Sequence, residues 1–175
     1  MAAQSSSIRD VSALETSSSA SGTLRGLLAS VASTSADAGP LVARVALGAV
    51  IFPHGAQKVL GWFGGYGLTG TMGFFTGTLG IPAVFAALAI AAEFLGAIGL
   101  IVGGLSRIAA FGVAVTMAVA AVMVHSKFGF FINWSGAQAG NGVEYQLLAI
   151  GLALVVMLKG GGAYSLDRLL SRTRK

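Results

Sequence analysis

From Pro40 onward the chain is a succession of four long apolar runs separated by glycine-rich or charged breaks, at approximately 41–60, 82–104, 107–125 and 143–159. A bilayer hydrocarbon core about 30 Å thick takes about 20 helical residues to cross, with roughly 17 to 25 tolerated. Lipid offers no partner for backbone N–H and C=O groups, so a crossing segment must satisfy them internally, as a helix does. Each run is therefore predicted to be a transmembrane helix. Runs two and three are separated only by Leu105 and Ser106, which forces an antiparallel hairpin. The fold expected is all-α, a polytopic membrane protein built as an antiparallel four-helix transmembrane bundle.

Composition removes the competing classes. Only 10% of the residues are charged and 55% are hydrophobic, whereas a soluble domain carries about a quarter charged residues. The first 39 residues hold 11 serines and three of the six acids, so the body from residue 40 to 170 is more lipid-like than the average. Residues 1–39 read as a disordered serine-rich cytoplasmic tail without the apolar stretch of a signal peptide. Residues 23–31 within it could form a short amphipathic helix on the bilayer. There is no cysteine, which excludes disulfides, zinc–thiolate sites, iron–sulfur clusters and a thiol relay. Any redox centre must then be borrowed.

The net charge of +5 does not point to nucleic acid, because no basic residues are interleaved with exposed aromatics. Arg168, Arg172, Arg174 and Lys175 instead crowd a basic C-terminal tail, 171–175 being its end, that suits a membrane surface. With four spans, Arg44, Arg107, Lys159 and this cluster fall on one side, against Lys58 and Lys127 on the other. The positive-inside rule then places both termini in the cytoplasm.

The two outer connections, 61–81 and 126–142, carry nine of the 15 aromatic residues, among them Trp62, Phe63, Phe74, Phe75 and Trp134. Aromatic rings gather at the lipid–water interface, so both connections are expected to lie there, as a plain anchoring belt or as a cap over the bundle mouth. On run two, Ala92, Gly96, Gly99 and Gly103 make a small-residue face of the kind that lets helices approach closely in lipid.

Glu93 lies beside that face, 11 residues from both Pro82 and Gly104, about 16 Å from either end of the run. A carboxylate near the bilayer midplane must be protonated, paired or hydrated. Run one offers partners at similar depth: His54, Gln57 and Lys58, which share a helix face by their three- and four-residue spacing. His54 or Lys58 is expected to meet Glu93, either to exchange protons or only to staple two helices. Pro53 should kink run one. His125 at the end of run three and Glu144-Tyr145 at the start of run four complete a polar ring beneath the aromatic connections. A quinone headgroup suits such a ring. The two histidines show no metal-ligand spacing, so no metal site is expected, and haem ligation or proton-coupled transport fits the pattern less well.

The pieces Arg44-Val-Ala-Leu-Gly48, His54-Gly-Ala-Gln-Lys58, Gly61-Trp-Phe-Gly-Gly-Tyr-Gly-Leu-Thr-Gly-Thr71, Glu93-Phe-Leu-Gly96, His125 with Gly129-Phe-Phe131, Glu144-Tyr145 and Tyr164-Ser-Leu-Asp167 together resemble the DoxX family of four-helix membrane proteins. Two departures are Gly160-Gly-Gly162, where a proline is common, and a slightly long 126–142 connection. The resemblance implies a multi-pass protein of the bacterial inner membrane in an oxidoreductase-associated group. Relatives in that group include the membrane subunit of a thiosulfate:quinone oxidoreductase and proteins of quinone or oxidative-stress resistance.

Combined with the polar ring, this implies a membrane subunit of a quinone-linked oxidoreductase system. Its pocket would hold a quinone or similar small aromatic, with no covalently bound cofactor. His54 and Glu93 would exchange protons and Lys58 would polarise an oxygen. Gln57, His125, Glu144 and Tyr145 would line the site, and Trp62 and Phe63 would gate it. Its partners would be the lipid bilayer and a soluble oxidoreductase. The alternative is a non-enzymatic scaffold recruiting soluble redox or stress-response partners. Whether the chain itself catalyses a step, and whether it forms a homo-oligomer, stay open at this level.

Overall fold

The computed structural model describes Gly26 and residues 34–172. Apart from Gly26, the serine-rich head before residue 34, with the helix expected over 23–31, and the last three residues of the basic tail lie outside the described residues. Every regular element described is helical: α1 (Ala38–Leu60), α2 (Gly67–Gly73), α3 (Ala83–Val102), α4 (Ser106–Ala120), α5 (Glu144–Lys159) and α6 (Leu166–Arg172). Helices α1 and α3, and α4 with its continuation to Phe128, are long and apolar enough to cross a membrane. At 16 residues, α5 is about 24 Å long, a little short of a full hydrocarbon core.

α1 packs on α3, α3 on α4, α4 on α5 and α5 back on α1, which closes a ring of four. The start of α1 meets the end of α5, where Ser35 N–H donates to the Lys159 carbonyl (3.3 Å) and Ala163 N–H to that of Asp37 (3.0 Å). The helices therefore run up, down, up and down, as the short connections predict. The centre is filled by Leu47 and Ile51 of α1, Ala97 and Leu100 of α3, Ala110, Val113 and Met117 of α4, and Ala149, Ala153 and Val156 of α5. Most of these side chains are small. In lipid the hydrophobic effect does not drive helices together, so association depends on close fit.

That fit has two sources. The small face of α3 meets α4 as expected: Gly96 lies on Ala109 and Val113, and Ala92 on Gly112. The second source is on α1. A Cβ on Gly55 would stand 2.6 Å from Phe94 Cα and 2.7 Å from the Glu93 carbonyl, so only glycine allows α1 to sit against α3 at this level. α1 is continuous through Pro53, which cannot donate to the Ala49 carbonyl. Pro82, expected as the first residue of α3, stands one position earlier with extended ψ of 139°. From there its carbonyl accepts from Phe85 and Ala86 N–H.

One end of the bundle is a dense polar knot. The Arg44 side chain is fully buried and directs all its donors at backbone carbonyls. Nε donates to Gly161 (2.7 Å), Nη1 to Leu100 (2.8 Å) and Ile101 (2.6 Å), and Nη2 to Ala163 (3.3 Å) and Tyr164 (2.9 Å). Leu100 and Ile101 belong to the last turn of α3, whose carbonyls lack helical partners and carry the negative end of the helix dipole. The chain can turn there because Gly103 takes a left-handed φ of 73°. A Cβ on it would stand 2.5 Å from Ser165 Cβ and 2.9 Å from Arg44 Cζ.

Asp167 completes the knot by capping α4 from a distance, accepting from Leu105 N–H (2.8 Å) and Ser106 N–H (2.9 Å). An Asp167→Ala substitution strips two orphan N–H groups of their acceptor. It is expected to lower stability by about 1–2 kcal/mol, read as a reduced thermal midpoint of the protein in detergent.

Candidate functional site

The residues singled out from sequence lie between the middle of the bundle, where Glu93 stands halfway along α3, and the end opposite the Arg44 knot. Glu93 is 3% exposed, and its Oε2 meets Lys58 Nζ of α1 at 2.5 Å. Of the two bases expected near Glu93, Lys58 makes the contact. Its ammonium also reaches back to the His54 carbonyl (3.4 Å). The Gly55 crossing explains the pairing: with α1 drawn onto the backbone at Glu93, Lys58 lies one turn further along and needs only its own length to reach the carboxylate. A paired charge near the midplane costs far less than a single one, because the pair is neutral to its surroundings.

The His54 ring lies 5.6 Å from that of Tyr145 on α5, at a 52° tilt. The Tyr145 hydroxyl is buried without a hydrogen-bond partner among the described residues, although buried phenol groups usually find one. Beside it, Gln146 is also buried. With its NH2 facing the Gly142 and Val143 carbonyls (3.2 Å each), Gln146 presents its oxygen to His125 Nε2 at 3.0 Å. The other ring nitrogen of His125, Nδ1, lies 2.8 Å from the Asn141 carbonyl.

His125 ends a stretch, Ala121–His125, in which α4 widens to i→i+5 bonding, and Phe74–Thr78 does the same after α2. Such widened turns recur at functional sites because they rotate the side chains that follow. Here they flank one opening. Between α3 and α4 lies a cavity of about 1340 Å³. His54, Lys58, Glu93, His125, Tyr145 and Gln146 form its polar end. Aliphatic and aromatic residues, including Phe85, Leu88, Phe111 and Val115, make the remainder, and Phe74 and Phe75 stand at its rim. Those four α3 and α4 side chains are strongly exposed on the bundle flank, so the cavity faces the membrane laterally.

Several expected members stand elsewhere. Glu144 does not line the cavity; its Oε2 accepts from Ile132 N–H (3.0 Å) and pins the 129–143 connection. Gln57 donates to the Phe63 carbonyl (3.3 Å) and holds the turn after α1. Trp62 and Phe63 stack edge-on with centroids 6.3 Å apart, 53% and 67% exposed, away from the cavity lining. Phe74 and Phe75 occupy the rim in their place. Gln146, Thr116 and Asn141 line the cavity without having been anticipated. The 61–81 connection contains α2 and a widened turn, and only the glycines at both ends of α2 hinted at its folding back. Gln146 was open to discovery, lying one residue after Tyr145 and four before Ile150 on the inward face of α5.

A ring of antiparallel apolar helices, three of them long enough to cross a membrane, with an ion pair between two of them, defines a polytopic helical membrane protein. The DoxX family profile matches residues 39–126, about half of the chain. The chain belongs to the DoxX family. It is 30% identical over 138 residues to the inner membrane protein YqjF of Escherichia coli (strain K12), covering 78% of this chain and 95% of that relative. No solved structure matches.

Proposed function

We propose that the lateral cavity binds a quinone or a similar small aromatic, and that the protein serves as the membrane subunit of a quinone-linked oxidoreductase system in the inner membrane, with both termini cytoplasmic. The observation that carries this reading is the Tyr145 hydroxyl, buried without a partner at the polar end of a cavity that is otherwise greasy and open to lipid. A lipid-soluble ring with carbonyl oxygens suits that arrangement: one oxygen accepts from Tyr145, the ring lies among Phe85, Phe111 and their neighbours, and the tail stays in the bilayer. A bound quinone supplies the capacity to take up two electrons and two protons, the electrons coming from a soluble oxidoreductase partner.

The chain's own groups position the ring and handle protons. His54, beside Tyr145, offers ring nitrogens that can exchange a proton with the ligand. Glu93 and Lys58 are opposite charges in direct contact, which keeps the site neutral overall and so favours an uncharged ligand over an anion. Phe74 and Phe75 guard the rim.

Binding of a tailed benzoquinone to the full-length protein in nanodiscs tests this. Saturable binding is expected, weakened about tenfold by Tyr145→Phe, which corresponds to roughly 1.4 kcal/mol for one lost hydrogen bond. A benzoquinone that fails to saturate the wild-type protein, or binds the phenylalanine variant equally well, would refute the assignment.

A further inference from the structure

A second depression, separate from the first, is an open groove of about 670 Å³ on the seam between α1 and α5. Its walls are apolar: Pro40, Ala43 and Ala46 from α1, and Leu152 and Val155 from α5. Its mouth carries two opposite charges, Asp37 and Lys159. The backbone bonds that join the start of α1 to the end of α5 hold these residues at one level. Their side chains nevertheless do not pair, since the ion pair found among the described residues is Lys58–Glu93. Nor does the Asp37 side chain cap α1. Both charged side chains are exposed.

The slot runs inward from this mouth. Asp37 to Ala46 is nine residues, about 14 Å along a helix, which is half of a hydrocarbon core about 30 Å thick. An occupant that uses the whole groove combines an apolar tail about one leaflet long with a head bearing both an anion and a cation. The anion answers Lys159. The cation answers Asp37, and a carboxylate binds an N–H donor more strongly than a cation without one. A glycerol head provides no cation, and a choline head provides a cation without N–H.

We propose that the α1–α5 groove is a binding site for a glycerophospholipid with a phosphoethanolamine head, its phosphate on Lys159, its primary ammonium on Asp37 and one acyl chain along Ala43, Ala46 and Leu152. This assignment is independent of the quinone reading and of the cavity between α3 and α4.

Native mass spectrometry of the full-length protein tests it. The detergent-purified chain is mixed with equal amounts of phosphatidylethanolamine, phosphatidylcholine and phosphatidylglycerol bearing identical acyl chains. Ethanolamine adducts are expected to exceed each of the others at least threefold. Asp37→Asn should bring ethanolamine and choline lipids to parity. Lys159→Gln should lower all three, and Ala46→Phe, filling the slot from an exposed position, should remove the adducts. Asp37 precedes α1, so its variant keeps the test decisive even if a helix variant misfolds. Equal adducts on the wild-type protein, a phosphatidylglycerol-led order, an ethanolamine preference that survives Asp37→Asn, or a dimer mass replacing the lipid adducts would each overturn the proposal.

Discussion

Arg44→Leu is expected to cause the largest loss of stability of any single substitution in this molecule. The leucine fills part of the volume but leaves five carbonyls, those of Leu100, Ile101, Gly161, Ala163 and Tyr164, without their donor in a buried site. Each hydrogen bond to a charged group is worth roughly 1.5–3 kcal/mol. Because such bonds are not additive, a total loss of about 4–6 kcal/mol is the reasonable scale, beyond what most single substitutions cost. Arg44→Lys keeps the charge but not the planar five-donor fork, and should fall between leucine and wild type. Unfolding in mixed detergent micelles, followed by circular dichroism, gives the measurement. A leucine variant within 1 kcal/mol of wild type would show that the knot at this end holds without its arginine.

The second large effect concerns the pair at mid-depth. Lys58→Met leaves the Glu93 carboxylate buried without its cation. Breaking a buried pair in this way costs roughly 3–5 kcal/mol; the lower end is expected, because the Lys58 side chain keeps 23% of its surface exposed. Replacing both residues, as Lys58→Met with Glu93→Leu, removes the desolvated charge along with its partner and should recover most of the loss. The double variant also separates stability from function: it should fold well yet no longer bind the benzoquinone as the wild type does. If each single change is as mild as the double, the two side chains are not coupled, and the charge compensation argued for Glu93 fails.

What was legible in the sequence follows from how local each determinant is. The four long helices announce themselves by apolar length, and the breaks at Gly61 and at Gly103-Gly104 set their ends. Glu93 stands out because a carboxylate deep in an apolar run has few explanations, and the i, i+4 spacing put His54 and Lys58 on one face. That spacing could not choose between the two. The choice depends on Gly55, which fixes how closely α1 approaches α3.

From sequence, Arg44 reads only as a positive charge on the cytoplasmic side and as part of the family motif; its five acceptors come from segments 56 to 120 residues distant in sequence. Glu144 sits next to Tyr145 yet turns outward to the 129–143 connection, since successive helix positions point about 100° apart. The aromatics of the cavity lining differ from those expected for a related reason. In a glycine-rich segment nothing periodic distinguishes Trp62 and Phe63 from Phe74 and Phe75, and a widened turn decides which pair meets the opening.

The shortness of α5 reaches beyond the protein. A rod about 24 Å long beside neighbours that match a 30 Å slab leaves a mismatch of about 6 Å, and lipids accommodate such a step by thinning locally, at fractions of a kcal/mol per ångström. Thinning of the bilayer is therefore expected along the α5 flank of the bundle. Membranes with shorter acyl chains relieve that strain, so the protein's energy is tied to the thickness of the sheet in which it sits.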